Sequence, residues 1–196
     1  MSERVPERQR LALGADVVQR LLPHRRPFLF VDGIDWIVLG ARPALGARKL
    51  VSANEPVFDG HFPGFSLWPG VYTIEGLGQT ANLLTVLTSL AEGAAREGVT
   101  SEALFDALRG LDGSRRGPRT SAPHEERITR ALGDPRSRIG YAGAVDVKLV
   151  EPVFAGSVIE YRVALTHVLA NARRHEVEAT VEGRPVARGT LTSAVP

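Results

Sequence analysis

Two residues in this chain have types and spacing suited to proton transfer. His61 stands in Gly60-His61-Phe62-Pro63-Gly64, and Glu75 follows fourteen positions later inside an apolar segment. An imidazole can take a proton near neutral pH, and a carboxyl group that keeps its proton can give one, so the pair suits a reaction with one base and one acid. The Gly/Pro turn around His61 can fix the direction of the ring. Between the two lies Trp68-Pro69-Gly70-Val71, which reads as a helix start. Pro69 has no N–H, so Gly70 and Val71 supply the first free donors of that helix, where partial positive charge favours a developing oxyanion. Glycine at 70 lets a ligand approach the backbone. Glu75 shares a helix face with Gln79 and roughly with Asn82. Taken singly, Glu75 reads as a buried carboxylate satisfied by hydrogen bonds, and His61 as a turn histidine. Combined with the Pro-Gly helix start, they read as a site.

The elements that must position these residues follow from hydrophobic periodicity. Residues 1–15 read as an N-terminal tail leading to a short helix, Asp16 to Leu22, that Pro23 stops. Phe28 to Leu39 reads as a strand with a possible bulge at Asp32-Gly33, and Ala44 to Ser52 as its neighbour. Val71 to Ala91 contains no proline and predicts a helix of about 20 residues, apolar on more than one narrow stripe and so wrapped by protein. Residues 92–138 differ in composition, with nine arginines and several Gly and Pro. They read as an insertion with two short helices, Glu102 to Arg109 capped by Ser101, and His124 to Leu132 started by Pro123. The final third predicts four strands, Ala144 to Val150, Val158 to Leu169, His175 to Val181 and Val186 to Val195. Alternation such as Ile159, Tyr161 and Val163 against Glu160 and Arg162 buries one face. The sum is an α+β chain, an antiparallel sheet wrapped around a long central helix, with a mostly helical or irregular insertion.

Composition narrows the classes. The chain has 196 residues, 43% of them hydrophobic, a formal net charge of +2 and no cysteine. Disulfides, thiolate metal sites and a cysteine nucleophile are excluded. His24, His124, His167 and His175 lack metal-ligand spacing, so no metal is expected. The small net charge gives no reason to expect nucleic acid. Met1 to Arg10 is charged without an apolar stretch, and no apolar run approaches the roughly 18–20 residues that span a bilayer, so no membrane is expected and the protein is expected to be cytoplasmic.

The chain resembles a known family. The likeness runs through Leu21-Leu22-Pro23-His24-Arg25-Arg26-Pro27-Phe28-Leu29-Phe30-Val31-Asp32, then Val51 to Gly64, then Pro69-Gly70-Val71 to Glu75 and Gln79, and resumes at Tyr141-Ala142-Gly143 and the C-terminal strands. These segments are similar to the 3-hydroxyacyl-[acyl carrier protein] dehydratases of fatty acid biosynthesis, which have the hotdog fold. The resemblance implies a lyase that turns a 3-hydroxyacyl thioester on acyl carrier protein into the trans-2-enoyl thioester. It implies His61 as base, Glu75 as acid, and the Gly70 N–H, with Val71 beside it, holding the thioester carbonyl. Phe62, Pro63, Trp68 and Gln79 would border the substrate tunnel. No cofactor is implied. The implied partners are the loaded carrier protein and further copies of the chain, as a homodimer or a trimer of dimers (homohexamer), with the histidine of one subunit facing the carboxyl group of the other.

This chemistry needs each group. Removing the C2 proton builds charge on the carbonyl oxygen, where a preorganised donor is worth about 3–4 kcal/mol. Hydroxide is a poor leaving group, so the C3 oxygen needs a proton, and an apolar pocket keeps the acid neutral. The expectation is a bell-shaped pH–rate profile. Departures from the family pattern are Gly76 and Gly78 around the acid, Trp68 before the helix, Glu151 and Ser157 where a basic and an acidic residue are usual, and the insertion, which could be a lid, a carrier dock or an oligomer contact. Two other readings stand beside the dehydratase: a non-catalytic hotdog subunit that binds acyl thioesters, and a hotdog thioesterase.

Overall fold

The computed structural model describes residues 8–113, 125–134 and 139–194. Seven strands form one antiparallel sheet, β1 (Gln9–Leu13), β2 (Gly33–Val38), β3 (Ala44–Leu50), β4 (Tyr141–Leu149), β5 (Val158–Leu169), β6 (Ala172–Val181) and β7 (Arg184–Ala194), in the order β1-β2-β3-β5-β6-β7-β4. The helices are α1 (Ala15–Leu21), α2 (Gly70–Arg96), α3 (Ser101–Gly110) and α4 (Glu125–Leu132). The sheet curls around α2, which packs on β3, β5, β6 and β7. This is the hotdog arrangement.

Period-two alternation builds the inner face of the sheet. Ile159, Tyr161 and Val163 of β5 and Val177 and Ala179 of β6 are buried, while Glu160, Arg162 and Glu176 point out. On α2, Leu77, Ala81, Leu84 and Leu87 face the sheet side of the core, and Thr73, Gln79 and Thr80 are buried with them. Thr80 and Thr85 donate their hydroxyls back to the carbonyls of Gly76 and Ala81, which removes two polar groups from the apolar surroundings without outside partners.

Five expectations need correction. Residues 9–13 are not tail: they form β1, which pairs with β2 and buries Leu11 and Leu13 completely. The alternating burial of so short a segment gives little periodicity to read. The last four strands are not a simple meander, because β4 pairs with β7 and β5 with β3. The inner edge of β5 is already taken by β3, so β4, arriving from the insertion, takes the free edge of β7. The central helix runs past Ala91 and Gly93 to Arg96, so the insertion begins later than residue 92. Helix α3 is capped by the Thr100 side chain, which accepts from the Ala103 N–H, not by Ser101. Pro123 and His124, expected to start α4, lie outside the described residues, as does Val195. The irregularity in the β2–β3 register falls between Ile34 and Trp36 instead of at Asp32-Gly33.

The two glycines beside Glu75 have different causes. A Cβ on Gly76 would lie 2.2 Å from the hydroxyl oxygen of Tyr161, whereas one on Gly78 would meet nothing within 4 Å. Tyr161 is buried and its hydroxyl has no hydrogen-bond partner. Burial raises its phenol well above the usual range. Gly76→Ala is therefore expected to cost about 1–3 kcal/mol by overpacking, and Gly78→Ala to gain up to about 1 kcal/mol of helix propensity. Urea unfolding of both variants checks this, and equal effects of the same sign would contradict it.

His175 on β6 is fully buried, and neither ring nitrogen has a partner in bonding geometry. Burial, helped by the positive charge of Arg173 and opposed by the Leu191 backbone, pushes its pKa down to about 4 from the usual 6.5. The folded protein keeps this ring neutral while the unfolded chain protonates it, so its contribution is complete above pH 6.5 and is lost as pH falls toward 4. His175→Leu is expected to flatten the fall in stability across that window by an amount of order 3 kcal/mol. Denaturant midpoints measured at pH 7 and pH 4.5 for both proteins provide the comparison.

Candidate active site

His61 sits in a loop whose backbone is closed by its own bonds. A short 3-10 turn, Pro56–Asp59, precedes it, and the His61 N–H donates to the Val57 carbonyl at 2.9 Å. Phe62 and Phe65 exchange backbone hydrogen bonds at 2.8 Å each. Gly64 between them has φ +76°, a conformation that glycine accommodates without strain. The loop is tied to the segment after β4 by Trp68 N–H to Val153 carbonyl at 2.8 Å and Ala155 N–H to Ser66 carbonyl at 3.1 Å.

This framework orients the imidazole. His61 Nδ1 lies 2.8 Å from the Leu67 carbonyl oxygen. A carbonyl can only accept, so the proton is on Nδ1 and Nε2 carries the free lone pair. The ring stacks on Phe62 with centroids 4.3 Å apart. His61, Trp68 and Gly70 line one cavity of about 280 Å³ together with Leu149, Val150 and Val153.

Glu75 is held from the other side. Gln79, only 1% exposed, accepts the Phe30 N–H at 2.9 Å through Oε1. Its Nε2 donates to the Phe28 carbonyl at 2.9 Å and to Glu75 Oε1 at 3.1 Å. Both amide hydrogens and the amide oxygen are used, so the side chain has one orientation and Glu75 has a fixed neighbour. His24 Nε2 stands 3.6 Å from Glu75 Oε1. Burial lowers the pKa of His24, Glu75 opposes that, and Arg25 adds to it, which keeps His24 neutral beside the acid. His24, Glu75, Gly78, Gln79 and Asn82 line a second cavity of about 160 Å³ with Tyr141 and Val145 of β4.

Within one chain, His61 and Glu75 thus open into different cavities. Gly70 and Trp68 join His61, while Gln79 and Asn82 join Glu75. Val71 is 64% exposed and borders neither cavity, and Phe62 and Pro63 are exposed on the loop. Trp68 is 2% exposed, in an aromatic cluster with Phe30, Phe58 and Tyr72. Lys49 lies 5.9 Å from its ring and bridges Asp32 at 3.1 Å and Glu55 at 2.6 Å. Glu151, where the family pattern has a basic residue, lies 3.9 Å from Arg184. The placement of His24 was not readable from sequence: fifty-one residues separate it from Glu75, and only the turn before β2, where Arg25 donates to the Leu22 and His24 carbonyls, carries it there. No group of three or more metal-ligating side chains occurs among the described residues, and none of their helices is long and apolar enough to cross a membrane.

Comparison with known proteins shows the family. Residues 22–108, which hold His24, His61, Gly70, Glu75 and Gln79, match the model of the FabA-like domain. The chain is 31% identical over 185 residues to the 3-hydroxyacyl-[acyl-carrier-protein] dehydratase FabZ of Polynucleobacter asymbioticus, covering 94% of each. It is 48% identical over 84 residues to that of Polynucleobacter necessarius, a match spanning 43% of this chain and 55% of that protein. Several further FabZ matches likewise span about half of the relative. Among solved structures, the dehydratase heterocomplex ApeI:P from Xenorhabdus doucetiae superposes with a TM-score of 0.54 at 16% identity, over 99% of this chain and 93% of that one, a likeness of fold. The near full-length match places the chain in the 3-hydroxyacyl-[acyl-carrier-protein] dehydratase FabZ family.

Proposed function

We propose that the chain dehydrates a 3-hydroxyacyl thioester carried on acyl carrier protein, at a site completed by a second copy of itself. The observation that carries this reading is the position of β4. It is an edge strand with Tyr141, Val145 and Leu149 exposed, and it borders both half-sites. Its Tyr141 end lines the Glu75 cavity and its Leu149 end lines the His61 cavity. Antiparallel pairing of β4 with the same strand of a second copy, about a twofold axis, sets the first end of one strand against the last end of the other. Glu75 then faces His61 of the partner subunit. The same pairing covers an apolar edge that would otherwise stay open.

At the joined site, His61 Nε2 takes the C2 proton while the Gly70 N–H and the positive end of α2 stabilise the charge on the thioester oxygen. Glu75 gives its proton to the C3 hydroxyl, which leaves as water as the C2–C3 double bond forms. Gln79 holds the acid in place. The reverse reaction, hydration of the enoyl thioester, uses the same groups.

The test is incubation with a trans-2-enoyl thioester. Water addition supports the dehydratase, whereas release of free thiol would mean a thioesterase and no reaction a binding subunit. His61→Ala and Glu75→Gln are each expected to lower hydration by 10²-fold or more. Coexpressed, the two inactive variants are expected to recover about a quarter of wild-type activity, because random pairing makes half the dimers mixed, each with one complete site. No recovery in mixed dimers would overturn the shared site. The pH–rate profile of the wild type is expected to be bell-shaped, with one limb from the base and one from the acid, and a flat profile would count against the pair.

A further inference from the structure

Beyond the Glu75 cavity, the C-terminal half of α2 and the insertion helices enclose another space of about 490 Å³. Val86, Leu90 and Ala94 of α2, Leu104 of α3, and Ile128 and Leu132 of α4 form its apolar walls. The volume lies in the range of ordinary ligand pockets. It adjoins the Glu75 cavity, with Asn82, Thr85 and Gly140 lining both. At that junction the Thr85 hydroxyl is turned back onto the Ala81 carbonyl.

We infer that this distal cavity receives the end of a long acyl chain, and that the insertion is the wall that makes room for it. The inference rests on the dehydratase reading of the Glu75 site. Distances along α2 support it. Helical rise places Thr85 about 15 Å and Ala94 about 28 Å beyond Glu75. An extended alkyl chain advances about 1.3 Å per carbon, from C–C bonds of about 1.5 Å with staggered torsions. With C3 held at Glu75, an acyl group of roughly sixteen carbons just passes Thr85, and one of about twenty to twenty-four carbons brings its terminal methylenes to the level of Leu90 and Ala94. Shorter chains end in the narrower cavity and gain nothing from the insertion. Each methylene moved from water into such surroundings is worth roughly fourfold in binding.

Gly93 marks where the cavity can be closed. A Cβ there would have only an Arg96 side-chain atom near it, at 3.9 Å, so a larger residue fits while filling the space. Gly93→Leu and, one position along, Ala94→Phe are two independent plugs. The experiment compares hydration of trans-2-enoyl thioesters from crotonyl to tetracosenoyl, together with direct binding of a saturated hexadecanoyl thioester that carries pyrene at its far end and cannot react. The wild type is expected to prefer the long chains, and each plug to lower the long-to-short ratio of kcat/KM by tenfold or more and weaken the pyrene probe by a similar factor. A wild-type preference for short chains, or a ratio and probe affinity unmoved by both plugs, overturns the inference. Absence of hydration at every chain length, with probe binding still sensitive to the plugs, would overturn the dehydratase reading and leave the long-chain cavity standing.

Discussion

The fixed point of the molecule is the amide of Gln79. A helix wrapped by a curled sheet can rotate about its own axis at little cost in apolar contact, since hydrophobic burial has no direction. Hydrogen bonds do have direction. By holding the Phe30 N–H and the Phe28 carbonyl at once, Gln79 sets the angle of α2 about its axis. Leaving either backbone group unsatisfied in the interior would cost about 1–3 kcal/mol. The same amide reaches Glu75, so the rotation that satisfies the core also determines where the acid points. The preceding turn, His24 included, is anchored by the same bonds, which links the half-site to the start of β2.

Part of this was legible in the residues. The turn that holds His61, the Pro69-Gly70 helix start, and the Glu75/Gln79 face were readable because each follows from local geometry. So were β5, whose alternation is unbroken over twelve residues, and the long course of α2. What could not be read was long range. The strand at 9–13 is too short to show a period, and its burial depends on β2 and α3, both distant in sequence. The place of β4 beside β7 depends on which sheet edge remained free. Gly76, a departure from the family pattern beside the acid, is the space that Tyr161 fills, eighty-five residues away in sequence.

The two halves of the chain divide the work differently. The segment that matches the FabA-like model carries every titratable group of the proposed site. The strands after the insertion contribute the sheet that closes over α2 and the apolar edge next to both cavities, without an acid or base of their own in the reaction. The residues of the proposed chemistry are thus confined to a stretch tied together by local turns and one helix, and the remainder supplies enclosure. The described helices of the insertion extend that enclosure along α2.

The open edge at β4 also bears on how the chain reaches its assembled form. A nine-residue strand with unpaired backbone groups and exposed Tyr141, Val145 and Leu149 invites any extended segment to add to it. Asp146 and Lys148 interrupt that apolar run, as gatekeepers do in natural edge strands. A subunit whose β4 edge is unpaired is therefore guarded, though incompletely. On the proposed pairing, solubility during synthesis depends on how soon that edge is covered, and charge-neutral replacement at these two positions would expose the chain to clumping without altering any group assigned to the proposed site.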